Sequence, residues 1–186
     1  MELQKPELAE KVYLNGYVNN FGRAELNLNL AQRLSEKWST GLLTHASSLQ
    51  NRVDKNGDGF LDLPLYTQYN ITNRWKYQDD NWAVQFGGKA LKEDRLGGQT
   101  SFKEEMKGSD QVYGFGTDIA RYELFGKVAK LFPHKPYKGL GLIVSASDYK
   151  QNSYFGQSAY YGSQKTLYSN LIYQSIIGTT THSYKA

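Results

Sequence analysis

Apolar and polar residues alternate one by one through long stretches of this chain. In the clearest stretch, from Ala24 to Arg33, the residues Leu26, Leu28 and Leu30 are separated by asparagines. A period of two residues predicts a β-strand with one apolar and one polar face. Eight such segments are predicted strands: Lys11–Val18, Ala24–Leu34, Lys37–Ser47, Tyr66–Tyr77, Asn81–Leu91, Asp118–Lys130, Lys138–Ser147 and Thr166–Ile177.

The connections between these segments differ in length in a regular way. Short turns are expected around Ser35, Gln78 to Asp80 and Pro133 to Pro136, whereas residues 48–65, 92–117 and 148–165 form long predicted loops. Short turns at one end and long loops at the other are typical of outer-membrane β-barrels. We therefore expect an all-β, antiparallel transmembrane meander of about eight strands, forming an open, curved sheet in isolation.

Alternation also predicts which face of each strand meets lipid. The outward face is read as Leu26, Leu28, Leu30, Tyr69, Ile71, Trp75, Tyr77, Trp82, Val84, Phe86, Leu140, Leu142 and Val144. The inward face is read as Asn27, Asn29, Gln68, Asn70, Thr72, Arg74, Lys76, Gln85 and Lys89. This division keeps every charge off the outward face, where one near the bilayer centre costs roughly 2–4 kcal/mol.

Composition narrows the remaining classes. Mean hydropathy is −0.63 and no apolar run approaches the length of a transmembrane helix. The 22 basic and 18 acidic residues are mixed along the chain, so no nucleic-acid-binding face is predicted. Cysteine is absent, which excludes disulfides and thiolate metal sites. We find no nucleophile with a base, no acid/base carboxylate pair and no phosphate loop, and we expect no enzymatic activity.

The first long loop contains a candidate calcium site. Residues 54–62 read Asp-Lys-Asn-Gly-Asp-Gly-Phe-Leu-Asp, with glycine at the sixth position. This spacing matches the beginning of an EF-hand loop, in which alternate side-chain oxygens and a backbone carbonyl bind Ca²⁺. Leu65 stands where a bidentate Glu is expected, and no helical pattern flanks the loop. An Asx-rich turn with solvated carboxylates is the alternative. The predicted Ca²⁺ ligands are Asp54, Asn56, Asp58, the carbonyl of Phe60, and Asp62.

The third long loop contains a dense group of aromatic residues. These are Tyr149, Tyr154, Phe155, Tyr160 and Tyr161. Aromatic rings among Gly, Ser and Gln suit stacking on a flat or ring-shaped ligand, so these five form the predicted ligand-binding site. Packing of the same rings against neighbouring loops is the alternative.

Several local runs of the chain carry a family resemblance, strongest from Ala24 to Gln99. They are residues 24–28, 38–46, 54–64, 73–77 and 85–91. In these runs the chain resembles the first third of the barrel of TonB-dependent outer-membrane receptors of the Bacteroidetes type. The resemblance implies a 22-stranded barrel around an N-terminal plug, driven by the TonB complex, that imports a scarce nutrient such as cobalamin, haem or a siderophore. The cobalamin receptors bind calcium in external loops, which the resemblance carries to Asp54, Asn56, Asp58 and Asp62.

The same resemblance sets expectations for context. We expect residues 1–186 to be a partial receptor barrel, lacking the plug domain and the C-terminal strands, in the bacterial outer membrane. The expected partners are outer-membrane lipid, the TonB complex through the missing plug, a nutrient ligand and a surface lipoprotein. Two other classes stay open: a complete eight-stranded barrel with a structural or adhesion role, and a soluble calcium-binding β-sandwich module.

Overall fold

The computed structural model describes residues 9–176 and 183–185, which form one antiparallel sheet. Its strands, in chain order, are β1 (Val12–Val18), β2 (Arg23–Arg33), β3 (Trp38–Leu49), β4 (Leu65–Gln78), β5 (Trp82–Gly98), β6 (Gly114–Leu131), β7 (Gly139–Phe155), β8 (Ser158–Ile176) and β9 (Ser183–Lys185). A single 3-10 turn, Glu104–Met106, lies between β5 and β6. No helix in the described ranges is long and apolar enough to cross a membrane.

Each strand pairs with the next one along the chain, so the sheet is a simple meander. Among the described residues, β1 pairs only with β2 and β9 pairs only with β8, and the sheet is not closed into a barrel. The predicted all-β antiparallel meander and its open form are therefore confirmed. The ninth strand, of three residues, was not predicted, and Ile177 of the predicted last strand lies outside the described residues.

Two of the three long predicted loops are wrong in extent. The segment 92–117 is a loop only over residues 99–113, because β5 continues to Gly98 and β6 begins at Gly114. The segment 148–165 is a continuous hairpin of β7 and β8, whose tight turn has Gly156 at a φ of 57°. Alternation identifies a strand only where one face is apolar, whereas backbone pairing here continues beyond the last apolar residues into stretches that are polar on both faces.

The sheet has an apolar face and a polar face, and their burial is the reverse of that in a soluble protein. One row of the apolar face joins Leu28, Thr44 and Ile71 across β2, β3 and β4. On this face Leu124 is 70% exposed and Leu167 is 77% exposed. Soluble sheets bury such a face against a second layer.

The polar face is the better covered of the two. Arg74 is only 6% exposed and Thr72 only 9%, and both point to this face. Lys89 on the same face donates a hydrogen bond to Glu123 on β6 over 3.3 Å. A charge as deeply buried as that of Arg74 requires partners, so this part of the polar face behaves as an interior.

The few buried apolar side chains lie together at one end of the sheet. They are Leu49, Leu65, Phe102 and Tyr154. This end carries residues 19–22, 50–64, 99–113 and the β7–β8 turn, and it is called the loop end. The opposite end carries the short connections 34–37, 79–81 and 132–138, and it is called the turn end. The buried apolar side chains of the described residues therefore pack at the loop end and not at the centre of the sheet.

Candidate functional site

The predicted calcium segment is a compact loop between β3 and β4, organised by its own acidic side chains. Asp54 Oδ1 accepts the amide N–H of Gly57 at 2.7 Å, and Oδ2 accepts that of Gly59 at 2.9 Å. Both glycines have positive φ, 73° and 83°, which other residues rarely adopt. Asp58 Oδ1 accepts the amide of Phe60 at 2.8 Å. These bonds orient the carboxylates within the loop.

The remaining predicted ligands are tied into the same network. Asn56 Nδ2 donates to Asp58 Oδ2 at 3.0 Å, and the amide of Lys55 donates to Asp62 Oδ2 at 3.0 Å. An ionised carboxylate can accept about four hydrogen bonds, so lone pairs stay available to a cation. The bridge between Phe60 and Gln99 uses the carbonyl of Gly59 and the amide of Leu61, not the carbonyl of Phe60.

By chemistry this oxygen set suits Ca²⁺. The structure does not, however, draw the three aspartates together around one point. Nowhere in the described ranges do three Asp, Glu or His side chains form a group able to hold a metal ion. Ca²⁺ at Asp54, Asn56, Asp58, Phe60 and Asp62 therefore stays a prediction.

The connection formed by residues 50–64 contacts the connections on both sides of it. Arg52 Nη1 donates to the carbonyl oxygens of Thr100 at 3.0 Å and Phe102 at 2.8 Å, both in the 99–113 loop. In the other direction, Lys55 Nζ lies 4.0 Å from the centroid of the Phe21 ring in the β1–β2 turn. The three connections therefore form one continuous surface at the loop end.

The 99–113 loop is fastened to the apolar-face side of the sheet by aromatic rings lying on glycines. A Cβ added to Gly114 would come within 2.2 Å of the Phe102 ring, and one added to Gly116 within 2.5 Å of the Tyr154 ring. The two rings contact each other with centroids 6.3 Å apart. Glycine is needed at both positions because the rings occupy the space of a side chain.

The five predicted ligand-binding aromatics do not form one cluster. All five lie in strands, Tyr149, Tyr154 and Phe155 on β7 and Tyr160 and Tyr161 on β8, and not in the predicted loop. Because neighbouring strand residues face opposite ways, the sheet separates them into two groups. Tyr154 and Tyr161 lie on the apolar-face side, whereas Tyr149, Phe155 and Tyr160 lie on the polar face.

Tyr154 and Tyr161 line a cavity of about 360 Å³ on the apolar-face side of the loop end. Its acidic lining includes Asp94 on β5 and Asp118 on β6, which are register partners. Burial and the charge of Asp118 raise the pKa of the Asp94 carboxyl. Tyr154 is 7% exposed, and its hydroxyl has no hydrogen-bond partner among the described residues. Burial also raises the pKa of this hydroxyl.

Neither aspartate could be selected from the sequence, because Asp94 falls in the predicted loop 92–117 and Asp118 begins a predicted strand whose partner at that position was not assigned. Charged residues in a loop are normally solvated, and their spacing carries no information about cross-strand neighbours. A continuation of β5 and β6 through the hairpin would have placed Asp94 beside Asp118.

The polar face carries an aromatic group of its own at the loop end. Phe115 and Phe155 are register partners on β6 and β7 and stack with centroids 6.1 Å apart at 15°. Tyr160, on the neighbouring strand β8, is the register partner of Ser153 and is 55% exposed. The Tyr149 hydroxyl instead donates to Gln151 Oε1 at 2.7 Å. Exposed rings of this kind, Phe155 and Tyr160, offer stacking surfaces above the polar face.

Comparison of the chain with protein-family models, curated proteins and solved structures gives no match.

Proposed function

We propose that this chain forms part of the wall of a bacterial outer-membrane transporter of the TonB-dependent class, which imports a scarce nutrient such as cobalamin, haem or a siderophore. The observation that carries the proposal is the uncovered apolar face of a single sheet whose opposite, polar face is the better covered one. Lipid is the solvent in which such an exposed face is stable, because it needs no protein layer to cover it.

The apolar face has the outline of a membrane belt. The loop-side boundary of the belt can be located on each strand of this face. On β3 the last apolar residue is Ala46 and the next residue toward the loops is the polar Ser48. On β8 the last apolar residue is Leu167 and the next residue toward the loops is Lys165. Successive register pairs from β3 to β8 place Ser48 level with Tyr161. The boundary on β8, at Lys165, is therefore displaced by four residues along the strand from the boundary on β3.

This displacement gives the angle between the strands and a bilayer normal. With about 3.3 Å per residue and about 4.8 Å between strands, four residues over five strands correspond to a tilt of about 30°. Strands of membrane barrels tilt by roughly 35–45°. The loop-side boundary of the apolar belt therefore lies close to the plane that the surface of a flat bilayer would occupy. The parts of the strands on the loop side of this boundary would lie in water.

The polar face then lines the interior, and nutrients pass along it. Arg74, Lys76 and Lys89 all lie on this face, away from lipid. An open sheet edge in hydrocarbon leaves backbone groups unpaired. The wall therefore has to continue in further strands beyond β1 and β9, consistent with a wide barrel that encloses a plug contacting the TonB complex.

The loop end faces outward from the cell in this proposal. There Phe155 and Tyr160 would stack on the nutrient, and residues 54–62 would bind Ca²⁺ and stiffen the mouth. A surface lipoprotein would cover the loops. The TonB-dependent class itself is supported by the local resemblance of the sequence, and the membrane wall by the belt.

The two other classes make different demands on the structure. A complete eight-stranded barrel requires the first strand to pair with the last, and no such pair exists among the described residues. A soluble sandwich requires a second sheet over Leu124 and Leu167, whereas residues 9–176 and 183–185 contribute to a single sheet. Both observations favour the wide membrane wall.

Single-cysteine labelling tests the membrane wall directly, since the native chain has no cysteine to interfere. Cysteines at Leu140, Leu142 and Val144 face one way, and those at Gly141, Ile143 and Ser145 face the other. In outer-membrane vesicles, fluorophores at the first three sites should be quenched by lipid-borne spin labels, and the alternate sites should react with aqueous maleimide. Equal aqueous reactivity at all six would overturn the proposal.

Transport requires a separate experiment. Deletion of the gene that encodes this segment should slow growth when cobalamin, haem or siderophore-bound iron is limiting, and removal of TonB should have the same effect. Normal uptake of all three by the deletion strain would leave the membrane wall standing and reject the nutrient-import role.

A further inference from the structure

The apolar face carries a groove, of about 740 Å³, within the belt. It has two lanes separated by a ridge of Tyr122 and Leu124 on β6. Ala90 and Gly88 form the floor of the lane on β5, and Ala146 forms that of the lane on β7. Small residues beneath large neighbours make the surface concave here. An extended hydrocarbon chain fits such a lane without polar partners.

A charged group closes the loop-side end of the β7 lane. Asp148 lies between Tyr122 on β6 and Lys165 on β8 in the register. Its carboxylate lines the groove, and its Oδ1 is buried without a hydrogen-bond partner among the described residues. A buried carboxylate oxygen without a donor is costly, so this position calls for a donor that arrives from outside the chain.

Cationic groups lie beside that carboxylate. Lys165 also lines the groove, and Lys150 lies on the same face two residues beyond Asp148. The apolar lane therefore ends at a carboxylate and an ammonium that lie side by side on β7 and β8, with a second ammonium beyond them. A phospholipid with a primary amine carries the complementary pair of charges, a phosphate and an ammonium, next to its acyl chains.

We propose that this groove binds one diacyl phospholipid with a primary-ammonium headgroup. The acyl chains lie in the lanes on either side of Tyr122 and Leu124, the phosphate contacts Lys165 and Lys150, and the headgroup ammonium donates to Asp148. The inference rests on the proposed membrane wall, because only a sheet in a bilayer presents this face to lipid.

Lipid competition on the protein in detergent micelles tests the headgroup assignment. Dioleoyl phosphatidylethanolamine has ammonium N–H donors, phosphatidylcholine has the same charge without them, and phosphatidylglycerol has the phosphate alone. Native mass spectrometry should show the ethanolamine lipid retained about tenfold better than the other two. In the Asp148→Asn variant, all three should be retained equally.

A second pair of variants tests the lanes. Ala146→Leu fills the β7 lane and should lower retention of all three lipids severalfold. Ala46→Leu, on the same face but on β3 and outside the groove, should leave retention unchanged. Retention of the ethanolamine lipid that is the same in wild type, Asp148→Asn and Ala146→Leu would overturn the lipid site.

The two proposals fail in different ways. If the cysteine labels place the apolar face in lipid but the three lipids are retained alike by the wild type, only the lipid site is rejected. If the apolar face is reactive toward aqueous maleimide and the protein stays out of vesicles, the membrane wall is rejected and the lipid site with it.

Discussion

Asp94 on β5 lies directly opposite Asp118 on β6, two carboxylates on neighbouring strands at the margin of one cavity. Like charges directly opposite one another destabilise a sheet by roughly 0.2–1 kcal/mol. Lys92 Nζ, 3.4 Å from Asp118 Oδ2, offsets part of the repulsion. Two aspartates held so close make this part of the loop end sensitive to pH.

Asp94→Asn should therefore stabilise the protein near pH 7. The pKa of Asp94 is raised in the folded state, so its bound proton stabilises the fold at low pH, and that contribution is lost as pH rises through the folded pKa. We expect a gain of up to about 1 kcal/mol at pH 7 that shrinks toward pH 4. Denaturant unfolding in micelles at several pH values measures it.

Asp110→Asn, an exposed position in the 99–113 loop, serves as the control and should change stability little at any pH. If Asp94→Asn instead destabilised the protein by the same amount at pH 4 and pH 7, repulsion between the aspartates would not be the operative interaction.

Two neighbouring lysine substitutions on β7 should have very different effects in a membrane. Leu142→Lys puts a charge on the apolar face and should cost roughly 2–4 kcal/mol near the centre of the belt. Ile143→Lys puts the same charge on the polar face, opposite Asn170 on β8, and should be tolerated. The amount of heat-stable protein recovered from outer-membrane vesicles measures the difference.

Equal yields of the two lysine variants would contradict the assignment of the faces. A lower yield for Ile143→Lys than for Leu142→Lys would reverse the assignment and place lipid on the polar side.

Gly114→Ala should release the 99–113 loop from the sheet. The added methyl group would overlap the Phe102 ring, which has to leave its buried position, and we expect a loss of about 1–3 kcal/mol. Gly126→Ala on the same strand is the matched control, since its Cβ would meet no atom within 4 Å. It should be neutral or gain roughly 0.5 kcal/mol.

Limited proteolysis reports this effect locally. Cleavage within residues 99–113 should accelerate in Gly114→Ala and stay at the wild-type rate in Gly126→Ala. Identical cleavage of the two variants would show that Phe102 does not fasten the loop.

Calcium binding at residues 54–62 can be measured by titrating the protein with CaCl₂ in a calorimeter. Asp58→Asn keeps an oxygen that can accept the Phe60 amide but removes the charge, and should weaken binding at least tenfold, which is about 1.4 kcal/mol. Asp110→Asn should bind Ca²⁺ as the wild type does. Unchanged affinity in Asp58→Asn would remove Ca²⁺ from this loop.

The part of the fold that could be predicted from sequence is the part within the apolar belt. Between Ala24 and Tyr77, for example, each strand alternates and its bounds were predicted to within two residues, whereas β5 continues seven residues beyond its predicted end at Leu91. Beyond the belt, residues such as Asp94 and Tyr161 have polar neighbours on both faces, so a strand there has no period to recognise. The pairing persists because each strand continues the hydrogen-bonded ladder of its neighbour.

The candidate sites show the same division. Asp54, Asn56 and Asp58 could be selected together because a calcium loop is contiguous in sequence. Tyr154 and Tyr160 were grouped as one surface, but the β7–β8 turn pairs Tyr154 with Ala159 and Tyr160 with Ser153, so the two tyrosines lie on opposite faces. The partners of Tyr154, including Phe102 and Gly116, come from another connection and another strand, which spacing along the chain does not reveal.

Arg52 gives the loop end a mechanical property through its hydrogen bonds to the carbonyls of Thr100 and Phe102. One guanidinium joins the connection of residues 50–64, which contains the predicted calcium ligands, to the 99–113 loop, which lines the cavity. Whatever stiffens residues 54–62 therefore also narrows the range over which residues 99–113 can swing.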